Sequence, residues 1–115
     1  MSLQALLEQL NNKPESVQFP QVIEVIDQNY DFTPTRFTNG DTVNEANQNN
    51  GSCKIFAFAQ LHHLTASKAL ACFGEFYRHD VLQHPESEDH QNIRNFMRSG
   101  WSGIHFDGQA LVKKS

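Results

Sequence analysis

Three things are scarce in this chain, and each scarcity excludes a class of function. Basic residues are outnumbered, with nine Lys and Arg against thirteen Asp and Glu, for a net charge of −4. Lys113 and Lys114 form only a terminal pair, so there is no basic stripe to follow a phosphate backbone, and nucleic acid is not an expected partner. Apolar runs are short, and none approaches the roughly 20 residues that a membrane-spanning helix needs. Only two cysteines occur, Cys53 and Cys72, too few and too widely spaced for a disulfide framework. The N-terminal stretch also lacks the basic segment, apolar run and small-residue cleavage site of a secretory signal. The simplest expectation is a protein kept in the cytoplasm, with no nucleic-acid or membrane partner and no cofactor.

What remains is enough for a core. A chain of 115 residues fits one domain, 1–115. A domain of this size buries roughly 65% of its unfolded surface. The apolar fraction of 38% is low, but nine Phe supply bulk, since each buried aromatic removes a large area from water. Oligomeric state is left open.

The richest segment is 44–61. A run of amide side chains, Asn44 to Asn50, ends in Gly51-Ser52 and gives way at once to the apolar run from Cys53 to Leu61. This is the pattern of a polar loop leading into the capped N-terminus of a buried helix, with Ser52 or Asn50 as cap and Gly51 in a left-handed turn. Such a terminus presents free backbone N–H groups and the positive end of the helix dipole, so it can hold an anion or activate a thiol.

Helical spacing accounts for most of the rest. Leu3, Leu6, Leu7 and Leu10 predict a first helix capped by Ser2, and Phe19, Val22, Ile23, Ile26 and Tyr30 a second, with Pro20 confined to its first turn. Residues 53–64 form a third, apolar nearly all round apart from Lys54 and Gln60, and therefore central. Thr65 can cap a fourth helix carrying Leu70, Phe73, Tyr77 and Val81 up to Pro85. Gly74 in its stripe costs about 1 kcal/mol of propensity, and a close approach of another element there would explain its presence. Asp89 can cap a fifth helix, with Ile93, Phe96, Met97 and Trp101 inward. Asn39-Gly40 suits a type I′ hairpin turn within 35–43, and 103–108 is a strand able to pair with that hairpin. The fold class expected is α+β, mainly α: about five helices around the central helix at 53–64, with a small antiparallel sheet from 35–43 and 103–107.

Polar constellations suggest two chemistries and a bland alternative to each. Asn44, Asn47 and Asn50 can simply tie a long loop to its own backbone. They can also, with Glu45, Ser52, Cys53 and Lys54, wall a pocket for a peptide or small anionic ligand. Cys53 in a first helical turn could be a nucleophile with a lowered pKa, and His90 its base, as in a thiol hydrolase. Free cysteines in small domains are otherwise buried and inert. Six histidines are present, but without His-x3-His or Cys-x2-Cys spacing, so no metal is expected. An Asp80/His84/Asp89/His90 grouping across Pro85 is the one arrangement that could oppose this. Arg94 beside Trp101 can either pair with a neighbouring carboxylate or bind an anion bidentately.

The chain resembles the HopJ type III effector family. The matching segments are 29–34 (Asn-Tyr-Asp-Phe-Thr-Pro), Phe37 with Asn39-Gly40, 49–59 (Asn-Asn-Gly-Ser-Cys-Lys-Ile-Phe-Ala-Phe-Ala), Cys72-Phe73-Gly74 with Tyr77-Arg78 and 80–82, 89–97 (Asp-His-Gln-Asn-Ile-Arg-Asn-Phe-Met), Gly100-Trp101, and 108–111. The resemblance implies a small bacterial protein and, in plant pathogens, delivery by type III secretion; it carries over no catalytic residue. The expectation is a non-enzymatic binding module, with 44–54 as one pocket wall and His90, Arg94 and Trp101 as the other. The alternatives are a thiol-dependent enzyme using Cys53 and His90, or an effector acting by contact with a host protein.

Overall fold

The structure, a computed structural model, describes residues 2–114. Helix α1 (Leu3–Asn12) starts where expected: the Ser2 hydroxyl accepts from the Ala5 N–H at 3.0 Å. Its leucine stripe buries Leu6 and Leu10 completely. A 3-10 turn, Pro14–Ser16, leads into α2 (Phe19–Asn29), where Pro20 sits in the first turn and the Gln18 N–H donates to Gln21 Oε1 at 3.0 Å. Val22, Val25 and Ile26 form its inner face.

Helix α3 (Asn50–Leu61) is the centre of the molecule, and Cys53 and Ile55 to Ala59 are all buried. Phe56, with no exposed surface, lies 4.9–6.3 Å between ring centroids from Phe37, Phe73, Phe96 and Trp101. Full burial of one such side chain stabilises by roughly 1.5–3 kcal/mol. The helix begins three residues before the sequence suggested. Asn49, not Ser52 or Asn50, occupies the cap position, in a left-handed conformation (φ 52°) and with no side-chain capping bond. Left-handed backbone falls on Asn47 and Asn49, not on Gly51.

The expected fourth helix is broken. Helix α4 (Ala66–Ala71) is capped by Thr65 as predicted, its hydroxyl accepting from the Lys68 N–H at 3.2 Å. The chain then turns at Gly74 (φ +61°) and resumes as a π-helical segment, Phe76–Val81, in which the Leu82 N–H reaches the Tyr77 carbonyl five residues back at 3.0 Å. The break has a steric cause: a Cβ at Gly74 would stand 2.6 Å from the Phe19 backbone nitrogen. The close approach that a glycine in the stripe implied is that of the start of α2.

Helix α5 (Gln91–Ser99) buries Asn92, Ile93, Asn95 and Phe96. Its cap is His90, left-handed (φ 52°), rather than Asp89, and Met97 is 45% exposed rather than inward. Trp101 lies beyond α5 in a 3-10 turn, Gly100–Gly103.

Strands β2 (Phe37–Asn39), β3 (Thr42–Asn44) and β4 (Ile104–Phe106) make an antiparallel sheet in the order β3-β2-β4, so the 103–107 strand pairs with the hairpin as anticipated. In register, Asn39 faces Thr42 across the turn and Ile104 across β4. The turn residues are therefore Gly40-Asp41, not Asn39-Gly40. Positive φ at Gly40 alone matches type II′ rather than type I′. Asn39 stays in the strand because its amide is fully buried against α5. A second antiparallel pair, β1 (Tyr30–Phe32) with β5 (Leu111–Lys113), was not foreseen. It takes Tyr30 out of the second helix. The protein is thus α+β and mainly helical.

Candidate functional site

A cleft of about 350 Å³ opens between the N-termini of α3 and α5. One side is polar: Asn49, Gly51 and Ser52 from the start of α3, Thr42 from the hairpin, and His90, Gln91 and Asn92 from the start of α5. The other is aromatic, built by Phe19, Phe73 and Phe76. Phe76 stands edge-on to Phe19 at 5.0 Å and lies 5.2 Å from the His90 ring, and it remains 40% exposed.

Both helices enter the cleft in the same way. Their cap residues, Asn49 and His90, are left-handed with nearly identical backbone angles (φ 52°, ψ 49° and φ 52°, ψ 47°), and neither side chain bonds to its own helix. A left-handed non-glycine residue costs about 1–2 kcal/mol, which the surroundings must offset. The first N–H groups of a helix have no partner within it; in α3 the Cys53 N–H is the first to reach back, to the Asn49 carbonyl at 3.0 Å. The positive ends of two helix dipoles consequently meet at one opening.

A buried amide network fixes these two ends relative to each other. Asn44 and Asn92 exchange a pair of side-chain bonds: Asn44 Nδ2 donates to Asn92 Oδ1 at 3.0 Å and Asn92 Nδ2 to Asn44 Oδ1 at 2.9 Å. Asn49 Nδ2 donates to the same Asn44 oxygen at 2.8 Å, and Asn39 Nδ2 donates to the Asn92 carbonyl at 2.8 Å and its Oδ1 at 3.0 Å. Asn95 Nδ2 donates to Thr42 Oγ1 at 2.5 Å. The hairpin is in this way the brace between the two helix starts, and Asn39 and Asn44 have no exposed surface.

His90 is the ionisable group on the cleft wall. Its Nε2 lies 3.1 Å from Asp80 Oδ2 and 3.9 Å from Asp89 Oδ2, while His79 Nδ1 lies 3.1 Å from the other Asp80 oxygen. Bonding to His79, reinforced by His90, holds the Asp80 carboxyl below its ordinary range against a smaller opposing effect of desolvation.

The predicted site residues separate into groups. Ser52 and His90 share the cleft. Cys53 does not line it: the side chain is buried, Sγ donates to the Thr35 carbonyl at 3.6 Å, and burial pushes the thiol pKa up rather than down. Asn44 lies behind the wall, bonding side chains instead of its own loop backbone. Asn50 is in the first turn of α3 with its Oδ1 buried and unpartnered, and Asn47 is an exposed left-handed loop residue. Glu45 pairs with Arg36 at 3.6 Å, and Lys54 with Asp27 at 2.9 Å while lying over the Phe32 ring. Arg94 is committed elsewhere: it donates to the Asp89 carboxylate at 2.7 Å, the Asp89 carbonyl at 2.6 Å and the Pro85 carbonyl at 3.3 Å, bracing the 85–89 loop. Trp101 donates from Nε1 to the Leu64 carbonyl at 3.0 Å and packs on Phe96. Of the opposite wall expected from His90, Arg94 and Trp101, only His90 lines the cleft, and it does so on the polar side, because Arg94 and Trp101 are spent on holding loops.

Sequence reasoning missed Phe19, Thr42, Phe73, Phe76, Gln91 and Asn92 as cleft residues. Phe76 carried the one usable signal, a large aromatic just off the Leu70-Phe73-Tyr77-Val81 stripe. Of the metal grouping, Asp80, Asp89 and His90 do approach one another, but no group of three or more His, Cys, Asp or Glu among the described residues is arranged to hold a metal ion. No helix among the described residues is long and apolar enough to cross a membrane.

Fold and cleft define a small, mainly helical α+β protein with an opening built by two helix starts. Its family follows from direct comparison: a family model described as HopJ type III effector protein matches residues 3–111, and the chain belongs to that family. It is also similar to a solved structure described as the crystal structure of unknown function protein VPA0580, at 59% identity and a TM-score of 0.98 over 99% of this chain and 95% of that one. No curated protein matches.

Proposed function

We propose that the protein is a non-enzymatic binding module whose cleft between α3 and α5 takes the anionic end of a peptide or a small anionic ligand. The observation that carries this reading is the convergence of two helix N-termini, neither capped by its own side chain, on one opening. Ser52 and Gln91 add side-chain donors, and the Phe19–Phe76 wall offers an apolar surface to the rest of the ligand. Against the thiol-hydrolase alternative stand the burial of Cys53 and its bond to Thr35. The cytoplasm is the proposed compartment, with type III delivery the alternative that the family suggests.

The test is a titration of isotope-labelled protein with sodium sulfate and, separately, sodium benzoate, followed by amide chemical shifts. Shifts are expected at Gly51, Ser52, Gln91 and Asn92 with both, and at Phe76 with benzoate. Saturable shifts confined to other regions, or none, would overturn the reading.

A further inference from the structure

We propose that the groove between the π-helical segment and α5 is a docking surface for an acidic amphipathic segment of a partner protein, which rests its apolar side chains on Leu82 and Met97 and sets a carboxylate on Arg98. The groove encloses about 440 Å³. It shares only Gln91 with the cleft between α3 and α5, so it can be filled whether or not that cleft binds an anion. Its apolar part has a local origin. The π-helical segment ends with Val81 turned into the core, 2% exposed, and Leu82 turned out, 47% exposed. Met97 of α5 follows the buried Phe96 and stands 45% exposed, although helical spacing sets it inward. Two large apolar side chains, with Pro85, thus line one opening. A methionine suits such a place, because its unbranched thioether adapts to the side chains of a partner.

Charge selects the occupant. The chain carries −4 overall, yet both charged residues that line this groove, Arg94 and Arg98, are basic. Arg94 is answered from within: its side chain is 10% exposed and pairs with Asp89 at 2.7 Å. Its bonds to the Asp89 and Pro85 carbonyls also fix the 85–89 loop, so this wall of the groove is set before anything binds. Arg98 is exposed, donates to the neutral Asn95 Oδ1, and has no carboxylate partner among the described residues. The neighbouring acidic groups are engaged or turned away. Asp80 is held by His79 and His90, each at 3.1 Å, and Asp89 by Arg94. Glu86 and Glu88 are exposed on the loop and do not line the groove. An apolar surface beside one unanswered guanidinium favours a segment carrying apolar and carboxylate side chains, and disfavours a basic one. Gln91, Arg94 and Arg98 follow one face of α5 for about 10 Å, room for two turns of a partner helix laid in the groove.

The probes are two capped synthetic peptides of about 12 residues, with leucines at i and i+4 on one helical face and either glutamate or lysine on the rest. Amide shifts of the isotope-labelled full chain are the readout. The glutamate peptide should give saturable shifts at Leu82, Ser87, Met97 and Arg98, and bind about fivefold more tightly than the lysine peptide. Leu82→Ser and Met97→Ser, both at exposed positions, should each weaken it about tenfold. Arg98→Gln, which keeps a donor for Asn95, should remove the preference for glutamate. Arg98→Glu should invert it, an outcome that damage to the fold cannot produce. Equal binding of the two peptides, shifts confined to other regions, or no saturable shift at all overturns the proposal. So do concentration-dependent shifts at Leu82 and Met97 without peptide, which would seat a second copy of the chain in the groove. Each of these failures leaves the reading of the cleft standing, since that is tested with sulfate and benzoate at Gly51 and Ser52, outside this groove.

Discussion

Substituting Gly74 by alanine probes how the cleft is held together, because this glycine lies directly beneath the Phe19 backbone. Two penalties add. A side chain at φ +61° costs about 1–2 kcal/mol relative to glycine. The new Cβ would also stand 2.6 Å from the Phe19 nitrogen and 3.3 Å from Gln18 Cα, so the backbone of α2 must move, at about 1–3 kcal/mol for an overpacked site. Alanine stiffens the unfolded chain and returns about 0.4–1 kcal/mol. The net loss is about 1–4.5 kcal/mol, a large part of the roughly 5–15 kcal/mol that a domain possesses. In a urea titration followed by circular dichroism, with a slope of about 1.5 kcal/mol/M, the midpoint should fall by about 0.7–3 M. Gly108→Ala is the control. Its φ is not in the positive range and its Cβ would meet only a methyl of Thr35 at 3.7 Å, so its midpoint should stay put or rise slightly. A Gly74→Ala loss below about 1 kcal/mol, or one equal to that of Gly108→Ala, would show that neither the turn nor the contact with α2 constrains this position.

Two further outcomes follow from the buried polar groups. Asn92→Leu strands the fully buried Asn44 Nδ2, while Asn39 keeps its bond to the Asn92 main-chain carbonyl, and should destabilise by about 1–3 kcal/mol, the cost of one unpaired buried donor. A calorimetric Tm lowered by less than about 3 °C would mean the network is dispensable. Cys53 and Cys72 should both resist iodoacetamide at pH 7 in the folded protein and react once urea opens it. Burial raises both thiols, that of Cys72 to about 12, and only the thiolate is the nucleophile. Rapid native-state alkylation of Cys53 would restore the thiol chemistry that its burial argues against.

The four longer helices were legible because their stripes are local: Leu6 with Leu10, Val22 with Ile26, and Ile93 with Phe96 declare an inner face without any knowledge of what covers it. What failed depended on partners distant in sequence. Gly74 signalled a close approach, but neither the element that makes it, the start of α2, nor the break of the helix there could be read. Asn39-Gly40 reads as a turn pair until the Asn39 amide is seen buried on Asn92. At the cleft, Ser52 was found because a loop-to-helix junction is visible in sequence, and His90 because helical spacing turned it inward, although it is the cap of α5 and not a residue within it. Arg94 and Trp101 were placed there wrongly because a helical wheel gives a direction but not an acceptor. The carbonyls that capture them, those of Pro85, Asp89 and Leu64, belong to loops with no periodicity to read.

The pairing of β1 with β5 bears on how the molecule is made. Leu111, in β5, is a core residue packed at the seam beside Phe32, and its strand partner is completed within the first third of the chain. During synthesis, α1, α2 and β1 emerge long before the segment that closes over them. That seam cannot form until nearly the whole described chain has left the ribosome. Closing so long a loop adds entropy cost only slowly with length, but contacts of this separation delay folding. The nascent protein therefore passes through a period with an unpaired strand edge at residues 30–32 and an open apolar site, the state in which a chaperone would recognise it.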